Sequence, residues 1–181
     1  MSMGGMIAQT LTIEHPQRVR SLTSIMSNPG DRRSGRIAPK IMPKLARMKP
    51  PTRETAADRS TEMFKLFSGP HYDAAVHVAR SQISIERSFR PKGTARQTAA
   101  IMASPDRTAG LRQVAVPTLI VHGLMDKLVL PSGGIATARA VPNSRLLMFP
   151  DMGHDLPAPR HAEVIAAIKR NTDSVGVSRT V

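Results

Sequence analysis

Three short stretches of this chain carry residue types that could do covalent chemistry. The first is Ser2-Met3-Gly4-Gly5, followed by the helix-forming Met6-Ile7-Ala8-Gln9. It reads as the second half of a G-x-S-x-G turn, where a serine sits on a strained corner between strand and helix. Small residues are needed there because backbone and helix approach closely. The helix N-terminus beneath the serine also favours negative charge developing nearby. The second stretch, His122-Gly123-Leu124-Met125-Asp126-Lys127-Leu128-Val129, places an acid in a loop just after a short apolar run. The third, Asp151-Met152-Gly153-His154-Asp155, places a histidine after the next such run, with Gly153 freeing the loop to turn. Taken singly, these residues also fit an N-cap serine, a loop-capping aspartate and a surface histidine. Together, in the order Ser2, Asp126 and His154, they form a candidate catalytic set of a serine, an acid and a histidine. That set performs acyl transfer through a covalent intermediate.

Other chemistries find little support. There is no cysteine, which excludes disulfide scaffolds, thiolate metal sites and thiol nucleophiles. His71, His77 and His161 show no metal-ligand spacing such as HExxH, so no metal site is expected. Neither a P-loop nor a GxGxxG is present, and no cofactor is expected. His122, at the end of an apolar run, is expected to be structural.

The elements that must position these residues can be read from periodicity and breakers. Gly4 to His15 reads as a helix ended by Pro16, and Val19 to Met26 as a buried strand closed by Asn28-Pro29-Gly30. Further helices are expected over Glu54 to Phe67, Asp73 to Phe89 and Thr94 to Ala103, separated by Gly69-Pro70 and Pro91-Lys92-Gly93. Pro117 to His122 reads as a buried strand, Ser132 to Ala140 as a helix, and Arg145 to Phe149 as another strand. Pro159 to Arg170 reads as a final helix with Val164, Ile165 and Ile168 inward. Strand and helix alternate at both ends, the signature of parallel βαβ packing. Carboxyl ends of such strands are where α/β proteins hold their sites.

Charge is distributed unevenly. The chain has 26 Lys+Arg against 13 Asp+Glu, a net +13, and residues 31–112 hold 17 and 7 of these. Arg32, Arg33, Arg36, Lys40, Lys44, Arg47, Lys49 and Arg53 come with no acid among them. That run fits a solvated basic face, or a weak contact with anionic membrane surfaces. Aromatics are only 3% of the chain, so the stacking residues of a single-stranded nucleic-acid binder are nearly absent, and no nucleic-acid partner is expected. No apolar run of 18 residues exists, and the N-terminus shows no basic stretch followed by an apolar one. A cytoplasmic location is expected.

The stretches SMGGMIAQTLTIEHPQRVRSLTSIM, VPTLIVHGLMDKLVLPSGG and RLLMFPDMGHDLP resemble the α/β-hydrolase fold family. They are similar in particular to actinobacterial carboxylesterase/lipase-like proteins and the aclacinomycin methylesterase group. The resemblance implies the fold class α/β: a C-terminal portion of an α/β-hydrolase fold, with about three parallel strands, flanking helices and a helical cap insertion. It implies core segments 1–30 and 111–171, a cap over 31–110 and a disordered tail over 172–181. Ser2 would be the nucleophile, His154 the general base, Asp126 its orienting acid, and Met3 the donor of one N–H to the oxyanion. The partner would be a small-molecule ester, its apolar part lodged against the cap residues Met42, Met63, Phe64 and Phe67. The family pattern also has a strand leading into the serine and a second oxyanion donor, and both would precede Met1. The expectations that follow are an esterase, a truncated non-catalytic fragment of one, or a related thioesterase or haloperoxidase-like hydrolase. In each, the first strand would have an exposed edge open to pairing.

Overall fold

The computed structural model describes residues 1–175. Its centre is a parallel sheet of three strands in the order β1-β2-β3, formed by β1 (Leu22–Ile25), β2 (Thr118–Gly123) and β3 (Arg145–Phe149). Register runs Leu22 opposite Thr118 to Ile25 opposite Val121, then Leu119 opposite Arg145 to Gly123 opposite Phe149. Every residue of β2 is buried, as a central parallel strand covered on both faces requires.

Helix α1 (Met3–Glu14) precedes β1 and packs on it. Between β1 and β2 come α2 (Met42–Ala46), α3 (Ala56–Phe67), α4 (Ala74–Arg87), α5 (Pro91–Ala103) and α6 (Thr108–Leu111). Helix α7 (Ser132–Ala140) connects β2 to β3, and α8 (His161–Asp173) follows. Met26, Leu119, Val121, Phe149 and Met152 pack with Val164 and Ala167 of α8 on one side of the sheet. Leu111, Val114, Ala140 and Val141 form a second cluster with Ile13 of α1. A third joins Ala38, Ile41 and Phe67 to Leu128 and Leu130 of the loop after β2.

Several expectations need correction. The first strand is shorter than Val19 to Met26. A 3-10 turn over Pro16–Arg18 binds the Val19 amide at its start, and Met26 ends it with a left-handed φ of 47°. Pro91 opens α5 instead of preceding it, because its fixed φ and missing N–H suit the first helical turn. In α8 Val164 faces inward and Ile168 packs partly buried on the same cluster, as expected, but Ala167 takes the third inward place and Ile165 is 63% exposed. That helix also outruns Arg170. Buried Asn171 donates from Nδ2 to the Leu22 carbonyl at 3.0 Å, which draws the last turn onto the sheet. Residues 172 and 173 of the expected tail are therefore helical, and residues 176–181 lie outside the described residues.

Among the described residues no helix is long and apolar enough to cross a membrane. β1 is an edge strand. Its Leu22 and Met26 amides point to β2, donating to Pro117 and Val121 carbonyls, so the alternate residues Thr23 and Ile25 point outward. The Ile25 carbonyl accepts the Ser2 amide at 2.8 Å.

Candidate active site

All three chemistry-bearing segments lie at the carboxyl end of the sheet. Ser2 is held beside the end of β1 by its amide bond to Ile25. Its φ of 50° and ψ of −126° put a non-glycine residue in a disfavoured region. The strain persists because α1 starts at the next residue and packs tightly against β1. A Cβ at Gly5 would lie 2.8 Å from that of Ser27, so only glycine permits this approach. The Ser2 hydroxyl makes no capping hydrogen bond, although the residue occupies the N-cap position. Met3 stands at the first helical position, where its N–H has no intrahelical acceptor.

Asp126 sits in the loop after β2 and is almost completely buried. Its Oδ1 accepts the amides of Leu128 at 2.9 Å and Val129 at 2.8 Å. Its Oδ2 lies 2.7 Å from His154 Nδ1, and His122 Nε2 is 3.5 Å from the same oxygen. Burial pushes the Asp126 carboxyl up. Hydrogen bonds from His122 and His154, the charge of His154 and the Val129 amide outweigh it, and the group stays below the usual carboxylate range. With Oδ1 filled by amides, Oδ2 is left for the imidazole, and His154 Nδ1 is the nitrogen that donates to it.

His154 follows β3 in a loop stitched to the end of α3. Its amide donates to the Phe67 carbonyl at 2.8 Å, and the Phe67 ring meets the imidazole edge-on at 5.7 Å. Phe64 packs in turn at a tilt against Phe67 at 5.0 Å and His77 at 4.4 Å between ring centroids. Phe67 is buried, and Met63 and Phe64 are partly buried around the same cluster. Met42 lies outside that cluster and is 48% exposed.

The structure therefore joins Asp126 to His154 directly and brings Ser2 to the same sheet end. Three further contributors were not singled out from sequence. Asp155 links the histidine loop to the residues following α3 through hydrogen bonds to Gly69 and Gly153. Arg107, one of the basic residues of the middle block, is buried. It donates to Gln9 Oε1 at 3.1 Å, the Asn28 carbonyl at 3.0 Å and Ser104 Oγ at 2.6 Å. Gln9 passes the network on to Ser24 of β1. Single-residue signals for such roles do not exist, since each depends on partners far away in sequence. Apart from these, an apolar groove of about 370 Å³ runs between α1 and α5, bordered by Met3, Met6, Ile7, Leu11 and Ile101.

Comparison with known proteins places this geometry in context. A family model described as alpha/beta hydrolase fold matches residues 1–158. A 2-hydroxymuconate semialdehyde hydrolase of Pseudomonas putida is 27% identical over 184 residues, covering 94% of this chain and 59% of that protein. A thermophilic esterase from Thermogutta terrifontis superposes with a TM-score of 0.67 at 23% identity, covering 97% of this chain and 63% of the other. The enol-lactonase from Burkholderia xenovorans gives 0.65 at 20% identity, with 96% and 62% covered. The chain thus spans about three-fifths of the length of these relatives.

Proposed function

Because the chain belongs to the α/β-hydrolase fold family, we propose that it is a serine hydrolase of carboxylic esters, with Ser2, His154 and Asp126 as its triad. The observation that carries this reading is the buried Asp126–His154 pair at 2.7 Å, at the same sheet end as a strained serine whose hydroxyl makes no capping hydrogen bond. His154 Nε2 takes the hydroxyl proton as Ser2 Oγ bonds to the ester carbonyl carbon, and the alkoxide leaves with that proton. Water, deprotonated by the same nitrogen, then attacks the acyl-enzyme, releasing the acid and restoring the serine. Asp126 holds the imidazole tautomer and stabilises the imidazolium. The Met3 N–H is one donor to the oxyanion. We assign residues 31–110 to a cap whose Phe64, Phe67 and Met63 receive an apolar part of the substrate.

Purified protein is treated with a fluorophosphonate probe and with a short p-nitrophenyl ester. Covalent labelling of Ser2, with both labelling and hydrolysis lost in Ser2→Ala, supports the reading. Hydrolysis indifferent to Ser2→Ala refutes it. Absence of both reactions favours the competing reading, a non-catalytic portion of such an enzyme.

A further inference from the structure

A histidine base is useful only if its ring is held to within about half an ångström of the productive position. In His154 the Asp126 carboxylate fixes one ring nitrogen, but that bond leaves the backbone of the loop free to shift. The loop is anchored on its other side by α3, the helix that leads into the cap's Gly69–Tyr72 turn. His154 itself donates its amide to Phe67. The next residue, Asp155, gathers two more donors onto a single atom: its Oδ1 accepts the Gly153 amide at 3.0 Å and the Gly69 amide at 3.1 Å. One donor belongs to the histidine loop and the other to the cap, 86 residues away. The two backbones are so close that a Cβ at Gly69 would lie 2.5 Å from the Asp151 carbonyl. At Gly153 it would collide with Phe67, Ser68 and Gly69. Neither amide has another acceptor at this junction, so loss of the Asp155 oxygen leaves both partly buried donors unpaired. A second link, Asp151 with His71, joins the same loop and cap at the protein surface, where an ion pair constrains little.

We propose that Asp155 is a positioning residue for His154, clamping the base loop to the cap so that the seating of the cap and the placement of the imidazole are one structural event. The proposal rests on His154 being the base. Its specific requirement is an acceptor oxygen at the Oδ1 position. Asparagine retains that oxygen, glutamate displaces it by a methylene while keeping the charge, and alanine removes it.

The test uses the full chain with its histidines ¹⁵N-labelled. The imidazole N–H resonance of the Asp126–His154 bond and its titration with pH are recorded for wild type and for Asp155→Asn, Asp155→Glu and Asp155→Ala, alongside the fluorophosphonate labelling rate at Ser2. Wild-type-like spectra are expected for Asn. For Glu and Ala the expected result is a broadened or shifted resonance, with labelling slowed about 10²-fold, the cost of displacing a catalytic group by roughly 1 Å. An unchanged resonance and labelling rate in Asp155→Ala overturn the proposal. If that variant does not fold, the Asn and Glu pair decides, and Glu behaving as Asn overturns it. A wild type that shows the resonance but never labels Ser2 defeats the hydrolase reading alone, since the spectra still decide the clamp.

Discussion

Replacing Asp126 by asparagine tests the proposed centre most directly, because the structure says which atom loses its partner. Oδ1 receives the Leu128 and Val129 amides, so the asparagine oxygen stays there and its NH₂ group turns toward His154. A donor then faces Nδ1 at the position of the present 2.7 Å contact. To avoid two opposed donors the imidazole moves its proton to Nε2, and the lone pair that should receive the serine proton is gone. The template for this loss is about 10⁴-fold in turnover, equivalent to roughly 5.5 kcal/mol of barrier. A charge-assisted bond is also exchanged for a neutral one, so folding stability at pH 7 should fall by about 1–3 kcal/mol. The pH dependence has a definite sign. The folded Asp126 carboxyl titrates below its ordinary range, so its stabilisation is present above that range and disappears as pH falls through the folded value. Asp126→Asn therefore loses most stability near neutrality and approaches wild type in acid. Pre-steady-state p-nitrophenol bursts and urea unfolding at neutral and acid pH measure both effects. A rate loss under about tenfold, or a stability gap that does not narrow in acid, would refute the argument.

Three other perturbations have definite outcomes. Arg107→Lys cannot reproduce the forked contacts to Gln9, Asn28 and Ser104. It should lower the urea midpoint by an amount equivalent to about 1–3 kcal/mol, and a wild-type midpoint would show the fork to be dispensable. Asp151 is held down to about 2 by the Arg160 and His71 hydrogen bonds, so its stabilisation persists above the ordinary carboxylate range and is lost as pH falls toward 2. Melting curves of Asp151→Asn should accordingly diverge from wild type at neutral pH and converge in strong acid. The eight basic residues from Arg32 to Arg53 are all exposed, interleaved with partly exposed Ile37 and Met42. Sedimentation with phosphatidylglycerol vesicles should show binding that vanishes in 1 M salt, where screening shortens to about 3 Å. Binding that survives charge reversal at Arg32, Arg33 and Arg36 would remove the membrane contact.

How much of this was legible in sequence follows from where each determinant lies. Helix α7 and β3 match their expected limits because Pro131, Pro142 and the flanking turns act locally. The order of Ser2, Asp126 and His154, each beside a strand or helix boundary, carried the candidate site. What stayed hidden is nonlocal. Ile165 resembles a core residue by spacing, but the face that α8 presents is set by how Asn171 anchors to Leu22, 149 residues away. Pro91 looks like a separator in sequence but opens α5, because a proline interrupts or initiates a helix depending on which side the helix lies. The short α2 and α6 carry too few residues for periodicity to register. The basic middle block also conceals a member with a different fate: Arg107 counts toward the charge yet is only 6% exposed.

The bond from the Ser2 amide to the Ile25 carbonyl makes the proposed nucleophile the first rung of a ladder on the outer edge of β1. A strand pairing along that edge would continue the same ladder through the outward-facing Thr23 and Ile25. Where a docked strand and the strained Ser2 backbone influence one another through that rung, the coupling is reciprocal: a ligand that favours the strained serine tightens strand docking by the same factor by which the docked strand tightens the ligand. Titrating an edge-binding peptide in the presence and absence of a reversible ligand of Ser2 reads that coupling from either end, and an affinity that does not change shows none.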